Sequence, residues 1–290
     1  MDKRFDRNVR LFGGEGQDRL RNLTVVIVGI GGLGTHVVQQ LALLGVGRFL
    51  LIDHETLDET NLNRYIGVYL TDVGQPKAHL GARLVRMVNP NAEVETIEAM
   101  LQSEAAFEAI RRADVVIGCL DTDGARLVCT EVAAAAGRPY LDLASDILTE
   151  GTLTYGGRIV FSFIGEGCLV CRNVLDTGAA RFELDPTAAA AHEAIYGVPR
   201  ADLLQHAGPS VVSINGVIAS LAVTELMLHV AGIRRARTEL TYRGELGKVL
   251  ASSDAAPSDC YFCTGIFGRW EDADVKRYIV EVHPLTMNKK

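Results

Sequence analysis

Residues Thr24 to Gly34 read TVVIVGIGGLG, an apolar run followed by a cluster of glycines, and they give the strongest indication of the fold. The apolar first half predicts a strand buried on both faces, and the glycines after it allow a tight turn before a helix. Such a turn lets backbone N–H groups approach a phosphate at the positive end of the helix. Asp53 ends the next predicted strand 53 − 34 = 19 residues later, where a carboxylate can accept hydrogen bonds from a ribose. The predicted nucleotide-site residues are Gly29, Gly31, Gly32, Gly34 and Asp53.

Strand and helix patterns alternate over the first two thirds of the chain. The predicted strands, each expected to be buried on both faces, are 24–28, 48–53, 93–97, 114–119 and 139–143. The predicted helices are about 33–44, 76–87, 103–111 and 124–136. This order predicts an α/β fold with a doubly wound, mostly parallel, Rossmann-like sheet and helices on both faces. Segments 151–164 and 239–251 are expected to extend the sheet with antiparallel strands.

One domain spanning residues 1–290 is expected. The predicted parts are an N-terminal arm (1–23), a nucleotide-binding core (24–145), a substrate-binding and zinc-containing part (146–263) and a C-terminal tail (264–290). Residues 176–208, with an alanine run and two prolines, could contain a short helix with flexible flanks, and are interpreted as a surface loop or lid.

Composition and charge exclude several classes of function. The 36 acidic and 29 basic residues give a net charge of −7, so a nucleic-acid partner is not expected. The charged start, MDKRFDRNVR, lacks the apolar stretch of a secretory signal, and we expect a cytoplasmic protein. Residues 210–233 are long enough to span a bilayer, but they contain Asn215, Glu225 and His229, which would lie in hydrocarbon without an obvious partner. A buried or subunit-facing helix, and no membrane, is therefore expected.

The six cysteines point to metal binding before disulfides in a reducing compartment. Two C-x₂-C pairs offer the ligands of a closed tetrahedral zinc site, with redox-active or free thiols as alternatives. The pairs are Cys168 with Cys171 and Cys260 with Cys263. Cys119 and Cys129 lie in an apolar strand and a helix, where a buried, unreactive thiol is expected.

Polar side chains follow several of the predicted strands, where ligands collect in a doubly wound fold. They are Asn61, Arg64, Lys77 and Asp121. Any one of these residues, considered alone, could be an ordinary solvated surface residue. Together, two cations and a carboxylate suit a triphosphate with Mg²⁺ better than a nicotinamide, because the cations would offset charge on the phosphates and Asp121 could hold the metal.

These residues belong to a set of motifs that resembles the adenylating enzymes related to ubiquitin-activating enzymes, with the bacterial members ThiF, MoeB and HesA. The resemblance runs from Phe5 to about Cys263. Its motifs are FDRNVRLFG (5–13), the glycine turn (29–34), D-x₇-N-L-x-R (53–64), DVGQPK (72–77) and D-x₄-R (121–126). It implies use of ATP and Mg²⁺, with transfer of AMP to a carboxylate and release of pyrophosphate.

The resemblance also implies a role for each matching residue. Gly31 and Gly34 would contact the nucleotide, and Asp53 would hold its ribose. Asn61, Arg64 and Lys77 would bind phosphates, and Asp121 would coordinate Mg²⁺. Arg7 resembles the arginine that these enzymes insert from a neighbouring subunit, which implies a homodimer. Many relatives carry similar cysteine pairs, which favours zinc.

One departure narrows the expected activity. Relatives that form a thioester or persulfide carry a further cysteine after the first zinc pair, but 176–259 contains none, and His206 nearby has no assigned role. We therefore expect an adenylation-only enzyme acting on a small ubiquitin-like or sulfur-carrier protein that ends in Gly-Gly. The alternatives are adenylation of a microcin-type peptide, a tRNA-modifying dehydratase, a scaffold subunit of an activating complex, and a dehydrogenase. The sequence identifies neither the carrier and its pathway nor the final acceptor.

Overall fold

The computed structural model describes residues 2–149, 151–185, 209–252 and 259–280. The strands are β1 (Thr24–Val28), β2 (Arg48–Ile52), β3 (Glu93–Ile97), β4 (Val115–Gly118), β5 (Tyr140–Leu148), β6 (Thr154–Ser162), β7 (Glu239–Arg243) and β8 (Lys248–Ala251). The helices are α1 (Asp6–Asn22), α2 (Gly32–Leu44), α3 (Lys77–Val88), α4 (Glu104–Arg112), α5 (Asp123–Ala135), α6 (Thr177–Leu184) and α7 (Val212–Val230).

All eight strands form one sheet in the order β3-β2-β1-β4-β5-β6-β7-β8. The first five in this order are parallel, and β6, β7 and β8 continue the sheet antiparallel. The chain builds outward from β1 to β3 and then returns to place β4 on the other side of β1. The carboxyl ends of β1 and β4 therefore form a topological switch point, the usual ligand position in such a sheet.

The predicted fold class, with its parallel core and antiparallel extension, is confirmed. One detail is wrong: β3 is an edge strand and is not buried on both faces. Glu93 and Glu95 point to solvent there and pair with Arg48 and Arg112. Strand β5 runs beyond the predicted end at residue 143, because β6 pairs with it as far as Leu148. A boundary after residue 145 would cut through β5.

Two apolar layers cover the two faces of the sheet. One contains β-strand side chains with residues of α2, α3 and α7, including Val38, Leu41 and Leu226. The other contains residues of α4 and α5, including Phe107 and Val128. Because both faces are covered, the inner strands β1 and β4 have no exposed residue.

In the described part of the chain, α7 is the one helix long and apolar enough to cross a membrane. It packs against α2, β5 and β6 as part of the first apolar layer. Its two buried polar residues have partners within the protein: Glu225 pairs with Arg234, and the Asn215 amide bonds to two serine hydroxyls. These contacts satisfy the buried polar groups of α7 within the protein.

Part of the expected loop at 176–208 is helical. Asp176 caps α6 by accepting the N–H groups of Gly178 and Ala179, and Ala180 is buried against α5. The predicted loop is therefore wrong for residues Thr177–Leu184, because a side-chain cap and a core contact stabilise a short helix there. Residues 186–208, including His206, lie outside the described residues.

The described part of the expected C-terminal tail packs on the protein. The Trp270 and Phe107 rings form a T-shaped contact with their centroids 6.4 Å apart, and Val280 N–H donates to the Gln102 carbonyl at 3.0 Å. Residues 264–280 therefore run along α4 and α5 and are part of the fold.

Candidate active site

The glycine turn after β1 is built by close backbone approaches. A Cβ atom on Gly34 would overlap the carbonyl oxygen of Gly29, and one on Gly29, whose φ is +90°, would overlap the carbonyl of Cys119. These two positions require glycine for packing. Gly31 differs, since a Cβ there would meet no atom within 4 Å. The turn therefore presents open space at Gly31, beside the first turn of α2, where an anion can approach backbone N–H groups.

Asp53 fixes this turn to the end of β2. One carboxylate oxygen accepts the N–H of Ile30 at 2.7 Å, and the other accepts the N–H of Glu55 at 2.8 Å. The side chain is almost fully buried, and burial raises its pKa, which these hydrogen bonds partly offset. Each oxygen keeps a lone pair that could accept from a ribose hydroxyl.

Arg64 lies against the opposite side of the turn. A Cβ on Gly32 would come within 2.8 Å of Arg64 Cγ and 2.9 Å of Asn215 Nδ2. The Arg64 guanidinium donates to the carbonyl of Thr60 at 2.7 Å, which keeps it near α2. Asn61 closes the short 3₁₀ turn before Arg64 by accepting the Asp58 N–H through its side-chain oxygen, at 3.3 Å.

Lys77 begins α3, and its side chain is only 9 % exposed. Its Nζ lies 2.5 Å from Oε2 of Glu55, a residue that sequence reasoning did not single out. The signal that could have shown it is position alone, because Glu55 follows Asp53 by two residues at the same edge of the sheet. Asp53, Glu55 and Lys77 thus form one charged group beside the glycine turn.

Asp121 lies on the far side of the switch point, in the loop after β4. Its carboxylate is exposed and has no hydrogen bond or ion pair within the described residues. Cys119, two residues earlier, contacts Gly29 and Gly34, so the Asp121 loop adjoins the turn. An unpaired carboxylate in this place could hold a divalent cation.

A buried polar network lies next to the Asp121 loop and stabilises it. This network was not identified from the sequence. Arg126 pairs with the fully buried Asp142 and contacts Asp123 at 3.3 Å. The Tyr140 hydroxyl donates to Asp142 at 3.0 Å, and a Cβ on Gly118 would overlap that hydroxyl. The D-x₄-R spacing located Arg126, but its partner comes from a different strand, which sequence does not reveal.

Arg7 lies far from this group within the same chain. Phe5, two residues earlier, packs beneath Gly45 at the end of α2, whereas the glycine turn lies at its beginning. The 13 residues of α2 span about 20 Å. Arg7 itself is exposed and forms no ion pair within the described residues.

The two cysteine pairs meet in one cluster, after β6 and near the end of the described chain. The four sulfur atoms lie within 4.8 Å of one another, and three of the separations are 3.7 Å. A tetrahedral zinc with Zn–S bonds of about 2.3 Å places its sulfurs about 3.8 Å apart. The donor set and the spacing both fit zinc, and four thiolates leave no open position for a substrate.

A family model described as the ThiF family matches residues 5–256. The chain belongs to the ThiF family. Every residue of the site described above, and the first cysteine pair, lies within the matched range.

Two curated relatives in this family carry different names. The sulfur carrier protein adenylyltransferase of Thermus thermophilus is 37 % identical over 129 residues, which are 44 % of this chain and 48 % of the relative. The tRNA threonylcarbamoyladenosine dehydratase of Bacillus subtilis is 39 % identical over 124 residues, 42 % of this chain and 48 % of the relative. The chain thus spans about half the length of these relatives.

The solved structures include a similar fold. The microcin C7 biosynthetic enzyme MccB, in complex with N-formylated MccA, superposes with a TM-score of 0.70 at 22 % identity. The match covers 90 % of this chain and 75 % of MccB. At 22 % identity, the similarity shows that this chain and MccB share a fold.

Replacing Gly31 with alanine tests whether the turn binds a nucleotide. The new methyl group would lie in open space, so we expect a melting temperature close to wild type. A phosphate at the turn would meet that methyl group, and ATP affinity, measured by isothermal titration calorimetry, should fall by about tenfold or more.

Gly265→Ala is the matched control, because a Cβ there also meets no atom closer than 3.6 Å and the position lies near the cysteine cluster. ATP binding by this variant should equal wild type. Equal ATP binding by Gly31→Ala would place the nucleotide elsewhere.

Metal analysis tests the cysteine cluster. The purified protein should contain one zinc per chain, and Cys263→Ser should lose most of it, because one of four ligands is removed. Cys129→Ser, at a buried cysteine outside the cluster, should keep its zinc. A wild-type protein without zinc, or full zinc content in Cys263→Ser, would contradict this assignment.

Proposed function

We propose that this ThiF-family chain is an ATP- and Mg²⁺-dependent adenylyltransferase. Its substrate is the C-terminal glycine carboxylate of a small ubiquitin-like or sulfur-carrier protein ending in Gly-Gly, and its product is an acyl-adenylate. The observation that carries the proposal is the arrangement at the switch point. An open glycine turn, two cations and an unpaired carboxylate lie together there, on Gly31, Arg64, Lys77 and Asp121. The relative named sulfur carrier protein adenylyltransferase supports the same reaction class.

These residue types fit the charges of the reaction. A carboxylate oxygen bonds to the α-phosphorus of ATP as the bond from that phosphorus to the bridging oxygen breaks, and pyrophosphate leaves. Both reactants are anionic, so the main requirement is positive charge where the negative charge accumulates. Arg64, Lys77 and the N–H groups at the start of α2 supply it. Asp121 is the residue that would hold Mg²⁺, which adds charge neutralisation at the phosphate oxygens.

The nucleoside end of ATP is assigned to Asp53. Its oxygens already fix the turn through Ile30 and Glu55, so a ribose bound there would be positioned relative to the phosphate-binding amides. Asn61, whose side-chain nitrogen has no partner within the described residues, is proposed to donate to a phosphate.

The cysteines support an enzyme without its own thiol nucleophile. Four of the six occupy the cluster, and the other two are Cys119 and Cys129. Burial raises the pKa of both remaining thiols, which disfavours the reactive thiolate. The acyl-adenylate is therefore proposed to pass to another protein.

A homodimer would complete the site. Since Arg7 lies beyond the far end of α2 in its own chain, it can serve a nucleotide only in a second copy. The surface of α2 and α7 is a suitable contact, because it exposes the apolar side chains Leu43, Val212 and Val217.

Other substrates are less well supported. The B. subtilis relative is named for a tRNA modification, but the net charge of −7 disfavours a polyanionic partner. A peptide substrate, as in the MccB complex, would use the same reaction, and a short peptide belongs in the test as an alternative acceptor.

ATP–pyrophosphate exchange tests the proposed reaction. Exchange should require a Gly-Gly-ended carrier and should disappear when its last glycine is removed. Asp121→Asn should lower the exchange rate by about a hundredfold or more. Asp272→Asn, an exposed residue of a short turn near the chain end, is the matched control and should keep the wild-type rate.

Exchange with a peptide but with no carrier would change the substrate class. Exchange with neither, by a protein that binds ATP, would reject the proposed activity.

Mixing two inactive variants tests the role of Arg7. Arg7→Ala and Asp121→Asn should each be inactive alone. After subunit exchange, half of the dimers are mixed, and each has one site with Asp121 and a partner Arg7. Activity should recover to about a quarter of wild type. No recovery after verified subunit exchange would show that Arg7 does not act across the interface.

A further inference from the structure

Glu55 is held at three points between two residues of the proposed nucleotide site. Its N–H donates to Asp53 Oδ1 at 2.8 Å, and its carbonyl accepts the Lys77 N–H at 2.9 Å. Its carboxylate binds the Lys77 ammonium at 2.5 Å. The two main-chain contacts hold the Glu55 backbone beside Lys77, so the carboxylate can return to the ammonium after a ligand has left.

The two partners of this ion pair differ in exposure. The Lys77 side chain is 9 % exposed, so packing around its stem limits where the ammonium can go. The Glu55 side chain is 56 % exposed and can turn toward solvent about its own torsions. If an anion approaches the ammonium, Glu55 is therefore the partner that moves.

The negative charge of Glu55 makes its carboxylate a competitor of any anion that binds the Lys77 ammonium. The hydrogen bond from Lys77 lowers the pKa of the Glu55 carboxyl, so this group is ionised at neutral pH. Within the described residues Glu55 pairs with no other cation. A phosphate that binds the ammonium must replace or repel this carboxylate.

We infer that Glu55 is the counter-ion of Lys77 in the ligand-free site and that the phosphate chain of the nucleotide displaces it from the ammonium. The inference rests on the proposed function, because it takes Lys77 as a phosphate ligand. It adds a residue that weakens binding of the phosphates while leaving binding of the nucleoside unchanged. The returning carboxylate would also favour release of pyrophosphate, because it binds Lys77 again as that product leaves.

The variant Glu55→Gln tests the inference by titration calorimetry with ATP, pyrophosphate and adenosine, in the absence of any carrier. The change keeps the size of the side chain and removes its charge. Exposed ion pairs shift an equilibrium constant by up to about fivefold, and the buried stem of Lys77 places this pair at the upper end. The dissociation constants of ATP and pyrophosphate should therefore fall about fivefold, while that of adenosine stays unchanged.

Two further variants serve as controls. Glu59→Gln removes the same charge from the same loop, at a residue without an ion pair in the described chain, and should bind all three ligands like wild type. Glu55→Asp keeps the charge and should bind ATP more nearly like wild type than Glu55→Gln does. Melting temperatures of all variants verify folding.

Several outcomes would overturn the inference. Unchanged or weaker ATP binding by Glu55→Gln would show that Glu55 does not compete with phosphate. If Glu55→Gln bound adenosine more tightly by the same factor, the substitution would act on nucleoside binding or on the fold and not on the phosphates. A wild-type chain that does not bind ATP would reject both this inference and the proposed function. A chain that binds ATP as expected but adenylates no carrier would reject only the proposed function.

Discussion

The close approach of three backbone segments at the switch point is the constraint on which the site depends. Gly29 and Gly34 let the turn after β1 touch itself and the carbonyl of Cys119 at the end of β4. A side chain at either position would separate β1 from α2 or from the Asp121 loop. This contact places the start of α2, the end of β2 and the end of β4 around one open space at Gly31. The apolar layers on both faces of the sheet hold these elements in register.

The charged groups around that space differ in how firmly hydrogen bonds and burial hold them in place. Asp53 and the Asp142–Arg126 pair are buried and hydrogen-bonded, so they act as fixed parts of the scaffold. Asp121 is exposed and has no partner among the described residues, and Lys77 pairs with the exposed carboxylate of Glu55. Fixed groups set the geometry, and the exposed or exchangeable charges are those that a ligand would engage. An anionic substrate pair is what such a site is suited to bind.

Local patterns predicted the parallel core well because its inner strands β1 and β4 are buried on both faces and the turn after β1 is marked by glycine. The cysteine cluster was predictable because two C-x₂-C pairs carry their own spacing rule. Contacts between segments that are distant in the sequence were not predictable from local patterns. Nothing local to Asp142 indicates that it pairs with Arg126. In β3, the alternation of Glu93 and Glu95 with less exposed residues was a local sign of one exposed face, which the prediction of two buried faces overlooked. The helical part of 176–208 depends on a cap and on burial of Ala180 against α5, which composition alone did not reveal.

Intact-mass measurement of the acceptor shows whether an adenylyl group has been transferred to it. A Gly-Gly-ended carrier is incubated with the protein, ATP and Mg²⁺, and its mass is recorded before the acyl-adenylate hydrolyses. We expect the carrier to gain the mass of one adenylyl group and not to become covalently attached to the protein. A gain of one phosphoryl group would contradict transfer of AMP, and a carrier linked to a cysteine of this chain would contradict an enzyme without its own thiol nucleophile.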